Sequence, residues 1–190
     1  MEELIAKYRT IALNNLDSID VEIFQKSVTI IQRAIEQNKA IYLMGNGGSA
    51  STANHFVNDL INIRNRTQSH SIISSLSSNN AVITCIGNDF GFDYIFSKQL
   101  DNILTQGDLV IAFSVSGNSR NILNTLPIIK NKNATLISFT GFDGGHLAQE
   151  SEINFHIQAP TSEKMFGPAE GLHLYYGHLL MDLLNSNCEL

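Results

Sequence analysis

The chain has 190 residues, of which 43 % are hydrophobic and 16 % charged, a composition typical of a folded globular protein rather than a disordered one. Its formal net charge of −6, with only 12 Lys and Arg residues, argues against a general nucleic-acid binder, and two cysteines, Cys85 and Cys188, are too few for a disulfide framework or a four-thiolate metal site. No apolar run approaches the length of a membrane span and the N-terminus lacks the apolar segment of a signal peptide, so we expect one cytoplasmic domain over residues 1–190.

Two amphipathic helices open the chain. Residues 1–16 and 21–37 both place apolar side chains at helical spacing, and Ser18 and Asp20 are candidate caps for the second helix. Two helices ahead of the first strand are more than a small sheet needs. They cover the sheet or pair with another subunit, and we favour a helical extension over residues 1–37 that serves oligomerisation.

From residue 40 onwards, apolar strands alternate with helices. The predicted strands are 40–44, 70–74, 109–113, 135–139 and 153–157, and the predicted helices include 51–63, 81–86, a segment running through 103, one after 119, and 168–184. This alternation predicts an α/β fold with a parallel sheet and helices on both faces. Such sheets bind ligands at the carboxyl ends of their strands, where we expect the polar turns 45–50, 87–93 and 114–119.

The turn at 114–119 has the composition of a phosphate site. It reads Ser114-Val115-Ser116-Gly117-Asn118-Ser119, follows an uncharged apolar strand, and precedes a helical pattern that Pro127 kinks or shortens. Free N–H groups and the macrodipole at a helix N-terminus favour an anion, and serine hydroxyls add donors. An ordinary capped turn is the alternative, because Ser and Asn are good N-caps.

The glycine-rich turn at 45–50 fits the dinucleotide fingerprint only loosely. That fingerprint also needs an acidic residue about 20 positions further on, after the second strand. Here Ser75, Leu76 and Ser77 follow that strand, and no carboxylate is present. Two small polar turns therefore favour a short phosphorylated ligand over a dinucleotide, unless the glycines only allow close packing of helix and strand.

Four motifs occur in order along the chain: 46–49 (NGGS), 87–89 (GND), 114–119 (SVSGNS) and 140–145 (TGFDGG). With these motifs the chain resembles the SIS (sugar isomerase) family, and within it the phosphoheptose isomerases, over nearly its whole length. The resemblance implies a three-layer fold with a five-stranded parallel sheet, a homotetramer with active sites between subunits, and a bound Zn²⁺. It also implies conversion of sedoheptulose 7-phosphate to D-glycero-D-manno-heptose 7-phosphate, or a related heptose phosphate, for heptose-containing surface polysaccharide.

The same resemblance assigns the site residues. The substrate-binding set is Asn46, Gly47, Gly48, Ser49, Asn88, Asp89, Ser114, Val115, Ser116, Ser119 and Glu170. The metal ligands are His55, Asp59, Glu170 and His178. Asp59 is assigned as the base that removes a C–H proton and His178 as the acid partner or a metal ligand.

Spacing is compatible with a metal site. His55 and Asp59 are four residues apart and share a helix face, and Glu170 and His178 lie two turns apart on the last helix. Two imidazoles and two carboxylates suit Zn²⁺ or another divalent ion. His173, between the last two, is a spare candidate, although a lone helix histidine is more often a surface or core residue.

The chain departs from the pattern of the phosphoheptose isomerases at three of these positions. Asp59 stands where the isomerases have Glu, Glu170 where they have Gln, and Val115 where they usually have Thr. Two carboxylates in one site favour a bound cation, because otherwise each raises the other's pKa. Glu170 is therefore a rival candidate for the base. The alternative function is a non-catalytic SIS tetramer that binds a sugar phosphate or a protein partner.

Overall fold

A computed structural model describes residues 1–161 and 165–187, so Cys188 lies outside the described residues. The strands are β1 (Ile41–Gly45), β2 (Ile73–Ser75), β3 (Leu109–Ser114), β4 (Thr135–Gly141) and β5 (Ile153–Ile157). The helices are α1 (Glu2–Asp17), α2 (Val21–Glu36), α3 (Gly48–Thr67), α4 (Asn80–Asp89), α5 (Ser97–Leu100), α6 (Arg120–Leu123), α7 (Leu126–Asn131), α8 (Gly145–Glu150) and α9 (Phe166–Asn187). A 3-10 turn lies at Phe92–Tyr94.

The five strands form one parallel sheet in the order β2-β1-β3-β4-β5. Helices α1, α2, α3 and α9 pack on one face, around a core that includes Phe56, Phe113 and Phe139. The shorter helices cover the other face, around Met44, Phe96 and Ala112. The prediction of a three-layer α/β fold with a five-stranded parallel sheet is confirmed.

The N-terminal helices pack on the face that carries the long helices. Asp20 caps α2 as expected, since its Oδ1 accepts hydrogen bonds from the N–H groups of Glu22 and Ile23. Asn15, 1 % exposed, anchors α1 by exchanging side-chain hydrogen bonds with the backbone of Gln158 just after β5. A role of this helical extension in oligomerisation stays a prediction.

The helix after the first turn begins earlier than expected. We predicted residues 51–63, whereas α3 runs from Gly48 to Thr67. Gly47, with φ 54°, turns the chain directly into the helix, a conformation that glycine adopts without steric cost. The helix ends at Gln68, which takes the left-handed conformation. The second half of the glycine-rich turn, residues 48–50, is therefore the first turn of a 20-residue helix.

Two further segments differ from their predictions. Gly87, Asn88 and Asp89 were expected in a loop but form the last turn of α4, whose start Asn79 caps through two backbone N–H groups. The segment predicted as a helix through residue 103 is a 3-10 turn followed by the single-turn helix α5. The helix after the serine turn is split into α6 and α7, with Pro127 in the first turn of the latter.

Within residues 1–161 and 165–187, none of the helices combines the length and the apolar character that a membrane span requires.

Candidate functional site

Hydrogen bonds within the serine turn, residues 114–119, fix its conformation. The N–H of Gly117 donates to the carbonyl of Ser114 at 2.9 Å, and the N–H of Asn118 donates to Ser116 Oγ at 3.2 Å. The hydroxyl of Ser114 donates to Ser119 Oγ at 3.2 Å. The three serines that carry these hydroxyls line one small cavity. Because α6 is only four residues long, its macrodipole adds less than the helical pattern led us to expect.

A small cavity joins this turn to the first one. Its volume is about 110 Å³, and its lining consists of Asn46, Ser49, Phe113, Ser114, Val115, Ser116, Ser119, Phe166 and Glu170. Val115 is buried, so the position of the missing hydroxyl is filled by packed methyl groups. The structure thus brings together seven of the predicted substrate-binding residues, adds the aromatic ring of Phe166, and includes no Lys or Arg in the described lining.

Gly48 and Glu170 meet at the start of α3. A methyl group on Gly48 would lie 2.6 Å from Glu170 Oε2, so the glycine leaves the space in which this carboxylate lies. The Glu170 carboxylate therefore occupies the N-terminal end of a long helix, where negative charge is favoured. It also supplies the one formal charge in the described lining of the cavity.

Asn46 is fixed by a partner that sequence analysis missed. Its side-chain amide exchanges two hydrogen bonds with that of Asn121, at 2.8 and 3.0 Å. Asn121 lies in α6 and is 2 % exposed. The sequence contained one signal for this contact, which is that Asn121 directly precedes the apolar Ile122. A buried side-chain amide needs hydrogen-bond partners, so a buried Asn121 would have to find one.

A second group of polar side chains lies further along α3 and α9. His55 Nε2 is 2.8 Å from His178 Nε2 and 3.4 Å from Asp59 Oδ2. One ligand atom from each of these three residues lies within 4.8 Å of the others. Among residues 1–161 and 165–187, no other group of three or more His, Cys, Asp or Glu side chains has its ligand atoms this close together. We call it the His–Asp–His cluster.

The cluster arises because α3 and α9 run parallel and pack side by side. Glu170 faces Gly48 near the beginning of both helices, His178 faces His55 in the middle, and Asn185 accepts a hydrogen bond from Arg66 near their ends. One helix thus supplies His55 and Asp59 from one face, as their spacing predicts, and the other helix supplies His178.

The donor set of the cluster fits Zn²⁺. Zinc ligands at about 2.1 Å in a tetrahedral arrangement lie roughly 3.4 Å from one another. The separation of His55 Nε2 from Asp59 Oδ2, 3.4 Å, equals this value, and its separation from His178 Nε2, 2.8 Å, is shorter. Two imidazole nitrogens and one carboxylate oxygen form a recurrent set of protein ligands in catalytic zinc sites, which keep further positions open.

Glu170 lies apart from the cluster in this chain. Eight residues of α-helix separate it from His178, an axial rise of about 12 Å. Asn88 and Asp89 are also apart from both groups. They are exposed at the end of α4, where Asn88 donates to the Asp89 carboxylate.

His173, the spare candidate, is a core residue. It is 1 % exposed, and its Nε2 is 3.0 Å from the carbonyl oxygen of Thr140 on β4. Burial lowers the pKa of His173 to about 4, the Thr140 carbonyl acts in the opposite direction, and the nearby His156 lowers it further. The imidazole is therefore neutral and donates one hydrogen bond that holds α9 on the sheet.

The low pKa of His173 predicts a loss of stability in mild acid. In the unfolded chain, His173 binds a proton below about pH 6.5, its ordinary pKa. In the folded chain it binds that proton only below about pH 4. Stability is therefore complete above pH 6.5 and falls as the pH decreases through this window, by about 2 kcal/mol between pH 7 and pH 5. Urea unfolding at both pH values should show His173→Leu losing about 2 kcal/mol less than the wild type, and equal losses would contradict the prediction.

Comparison with known proteins shows the family of this chain. Residues 8–141 match the SIS domain. The phosphoheptose isomerase of Helicobacter hepaticus is 32 % identical, over 86 % of this chain and 82 % of that protein, and the one of Trichlorobacter lovleyi is 33 % identical over 97 % and 93 %. The solved phosphoheptose isomerase of Neisseria gonorrhoeae superposes with a TM-score of 0.83 at 25 % identity, covering 97 % of this chain and 96 % of that one. The chain therefore belongs to the SIS domain family, and it is similar to phosphoheptose isomerases over most of its length.

Proposed function

We propose that this protein is a zinc-dependent, cytoplasmic phosphoheptose isomerase. It interconverts sedoheptulose 7-phosphate and D-glycero-D-manno-heptose 7-phosphate, or a closely related heptose phosphate, for heptose-containing surface polysaccharide. The observation that carries the proposal is the placement of the His–Asp–His cluster and the serine-lined cavity along the same pair of helices. The names of its relatives agree with this activity.

The separation of the two groups fits a seven-carbon sugar phosphate. From Ser49, which lines the cavity, to His55 in the cluster, six residues of α3 rise about 9 Å. An extended chain advances about 1.2 Å per bond, so the eight bonds from C1 to the phosphorus of an open-chain heptose 7-phosphate span roughly 10 Å. A phosphate in the cavity therefore leaves C1 and C2 near the cluster.

The phosphate end is bound by neutral donors. Ser114, Ser116 and Ser119 all line the cavity on one turn. Because the Glu170 carboxylate already lies at the N-terminal end of α3, we assign phosphate binding to the hydroxyls of this turn rather than to that helix end. Binding of the phosphate at the cavity holds C1 and C2 of the sugar beside the His–Asp–His cluster. This lowers the reaction barrier only if the catalytic groups are aligned with those carbons.

At the reacting end the chain supplies a base and an acid. Aldose–ketose isomerisation moves a proton between C1 and C2 through an enediol, with a second proton transfer between the two oxygens. We assign Asp59 as the base that removes the C–H proton, and His178 as the acid partner or, where its Nε2 holds the metal, as a ligand. A Zn²⁺ ion held by His55, Asp59 and His178 would polarise the carbonyl group and would stabilise the negative charge that develops on its oxygen. The length of the sugar places Glu170 near the phosphate instead, which favours Asp59 as the base.

Assembly completes the proposed site. Helix α1 exposes the apolar side chains of Leu4, Ile5, Tyr8 and Leu13, a surface suited to another copy of the chain. In a homotetramer with active sites between subunits, the exposed Asn88 and Asp89 of one copy can reach the substrate of another. This would explain why a single chain keeps them away from its own cavity.

The test is turnover of sedoheptulose 7-phosphate by protein stripped of metal and then resupplied with Zn²⁺. We expect an aldoheptose phosphate only after zinc is restored. Absence of product, with phosphate ligands still raising the melting temperature, would overturn the isomerase and support the non-catalytic alternative. Equal turnover with and without metal would overturn the zinc dependence alone.

A further inference from the structure

Two asparagine side chains tie the two turns of the cavity together. Asn121 Nδ2 donates to Asn46 Oδ1 at 2.8 Å, and Asn46 Nδ2 donates to Asn121 Oδ1 at 3.0 Å. The pair joins residues 75 positions apart in sequence. Because each amide donates to and accepts from the other, the orientation of both side-chain planes is fixed.

The two partners have different relations to the cavity. Asn46 lies between β1 and α3 and lines the cavity, whereas Asn121 lies in α6, two residues after Ser119, and is not among the lining residues. Asn121 is also almost completely buried, at 2 % exposure. Any influence of Asn121 on a ligand in the cavity must therefore pass through Asn46 or through the position of Ser119.

We propose that Asn121 is a positioning residue that orients Asn46, and through it the first turn, for binding of the substrate's phosphate group. The pair leaves each amide a second N–H and a second lone pair, so Asn46 keeps a donor for an anion while its plane is held. Without Asn121, the amide of Asn46 rotates and must be ordered again on binding, which weakens the complex. This inference relies on the phosphate site of the proposed function but not on turnover.

A double-mutant cycle with inorganic phosphate as the ligand tests this role. Titration calorimetry on the full chain should show that Asn121→Ala weakens phosphate binding by about tenfold, the loss expected from one misoriented hydrogen bond to an anion. In the Asn46→Ala background the same substitution should change the affinity less than about twofold, because the residue through which it acts is gone. Equal losses in both backgrounds, or no loss in either, would overturn the proposal.

Asn15→Ala is the matched control. Asn15 is equally buried and also makes side-chain hydrogen bonds, but its partners are the backbones of Ile11 and Gln158, and it does not line the cavity. Both alanine variants should lower the melting temperature, whereas only Asn121→Ala should weaken phosphate binding. If Asn15→Ala weakened phosphate binding to the same extent, general destabilisation would explain the effect of Asn121→Ala, and the positioning role would be overturned.

The outcomes also separate this inference from the proposed function. Phosphate binding that depends on Asn121, in a protein that does not turn over sedoheptulose 7-phosphate, would support the positioning role and overturn the isomerase. Turnover of sedoheptulose 7-phosphate, together with phosphate binding that Asn121→Ala leaves unchanged, would support the isomerase and overturn the positioning role. A wild-type protein that does not bind phosphate would overturn the positioning role, whereas the isomerase would still be decided by turnover.

Discussion

Replacing His178 with alanine is expected to lower turnover of the heptose phosphate by about a thousandfold, because the variant loses a ligand of the proposed zinc site or the acid partner of the proposed mechanism. Its Nε2 is 2.8 Å from His55 Nε2, and the described part of the chain offers no other His, Cys or carboxylate that completes the group. Two remaining ligands from one helix face hold zinc poorly. We therefore expect zinc affinity to fall by at least about a hundredfold in the same variant.

Binding of inorganic phosphate should survive the His178→Ala substitution. The serine-lined cavity does not include His178, so its affinity for phosphate should change less than about twofold. Ser116→Ala should give the opposite result, with weakened phosphate binding and an intact zinc site. A variant at His178 that loses phosphate binding and zinc together would indicate unfolding or one merged site, and would contradict the division into two groups.

His146→Ala is the matched control for that experiment. His146 is also exposed and also pairs with a carboxylate four residues later, since its Nε2 is 3.8 Å from Glu150 Oε1. It repeats the local geometry of His55 and Asp59, but the part of the chain that the structure describes offers no third ligand beside it. Zinc content, measured by atomic absorption, and turnover should both match the wild type. A loss of zinc from this variant would show that an exposed His–carboxylate pair is enough to explain metal binding.

Local patterns in the sequence predicted the sheet well. All five strands are present, and the bounds of β5 agree at both ends, because Ile153, Phe155 and Ile157 alternate with polar residues in the period of a half-buried strand. Helix ends were harder to predict. Gly87 was interpreted as a loop residue, but α4 continues to Asp89, because capping by Asn79 and packing extend a helix past a single glycine.

Contacts within one helix were predictable, but contacts between helices required the tertiary structure. The spacing of His55 and Asp59 places them on one face of α3 regardless of the rest of the chain. That His178 meets this pair, while Glu170 and His173 do not, depends on how α9 lies along α3 and β4. The buried pair of Asn46 and Asn121 is equally non-local, so neither residue could be assigned a partner beforehand.

Replacing Gly177 with alanine should reduce the free energy of unfolding by about 3 kcal/mol, because a Cβ at this position overlaps the ring of Phe56. Phe56 is fully buried and packs edge-on against Phe113 and Phe139, at centroid separations of 5.0 and 5.7 Å, so its ring has no free space to enter. Urea unfolding at fixed protein concentration measures the change, since assembly also affects apparent stability.

Gly171→Ala provides a control of opposite sign on the same helix. No atom lies within 4 Å of a Cβ at Gly171, so this variant should gain about 0.5–1 kcal/mol from the higher helix propensity of alanine. A gain at both positions would show that Phe56 does not set the distance between the helices.

The Gly177 substitution should also act on the proposed metal site. Gly177 and Phe56 directly adjoin His178 and His55, so helices pushed apart at this contact separate the imidazoles that lie 2.8 Å apart. Gly177→Ala should therefore bind zinc more weakly, and Phe56→Leu in the same chain should restore part of both stability and zinc affinity by vacating the overlapped space. If stability recovers while zinc affinity does not, the spacing of α3 and α9 is not what brings the two histidines together.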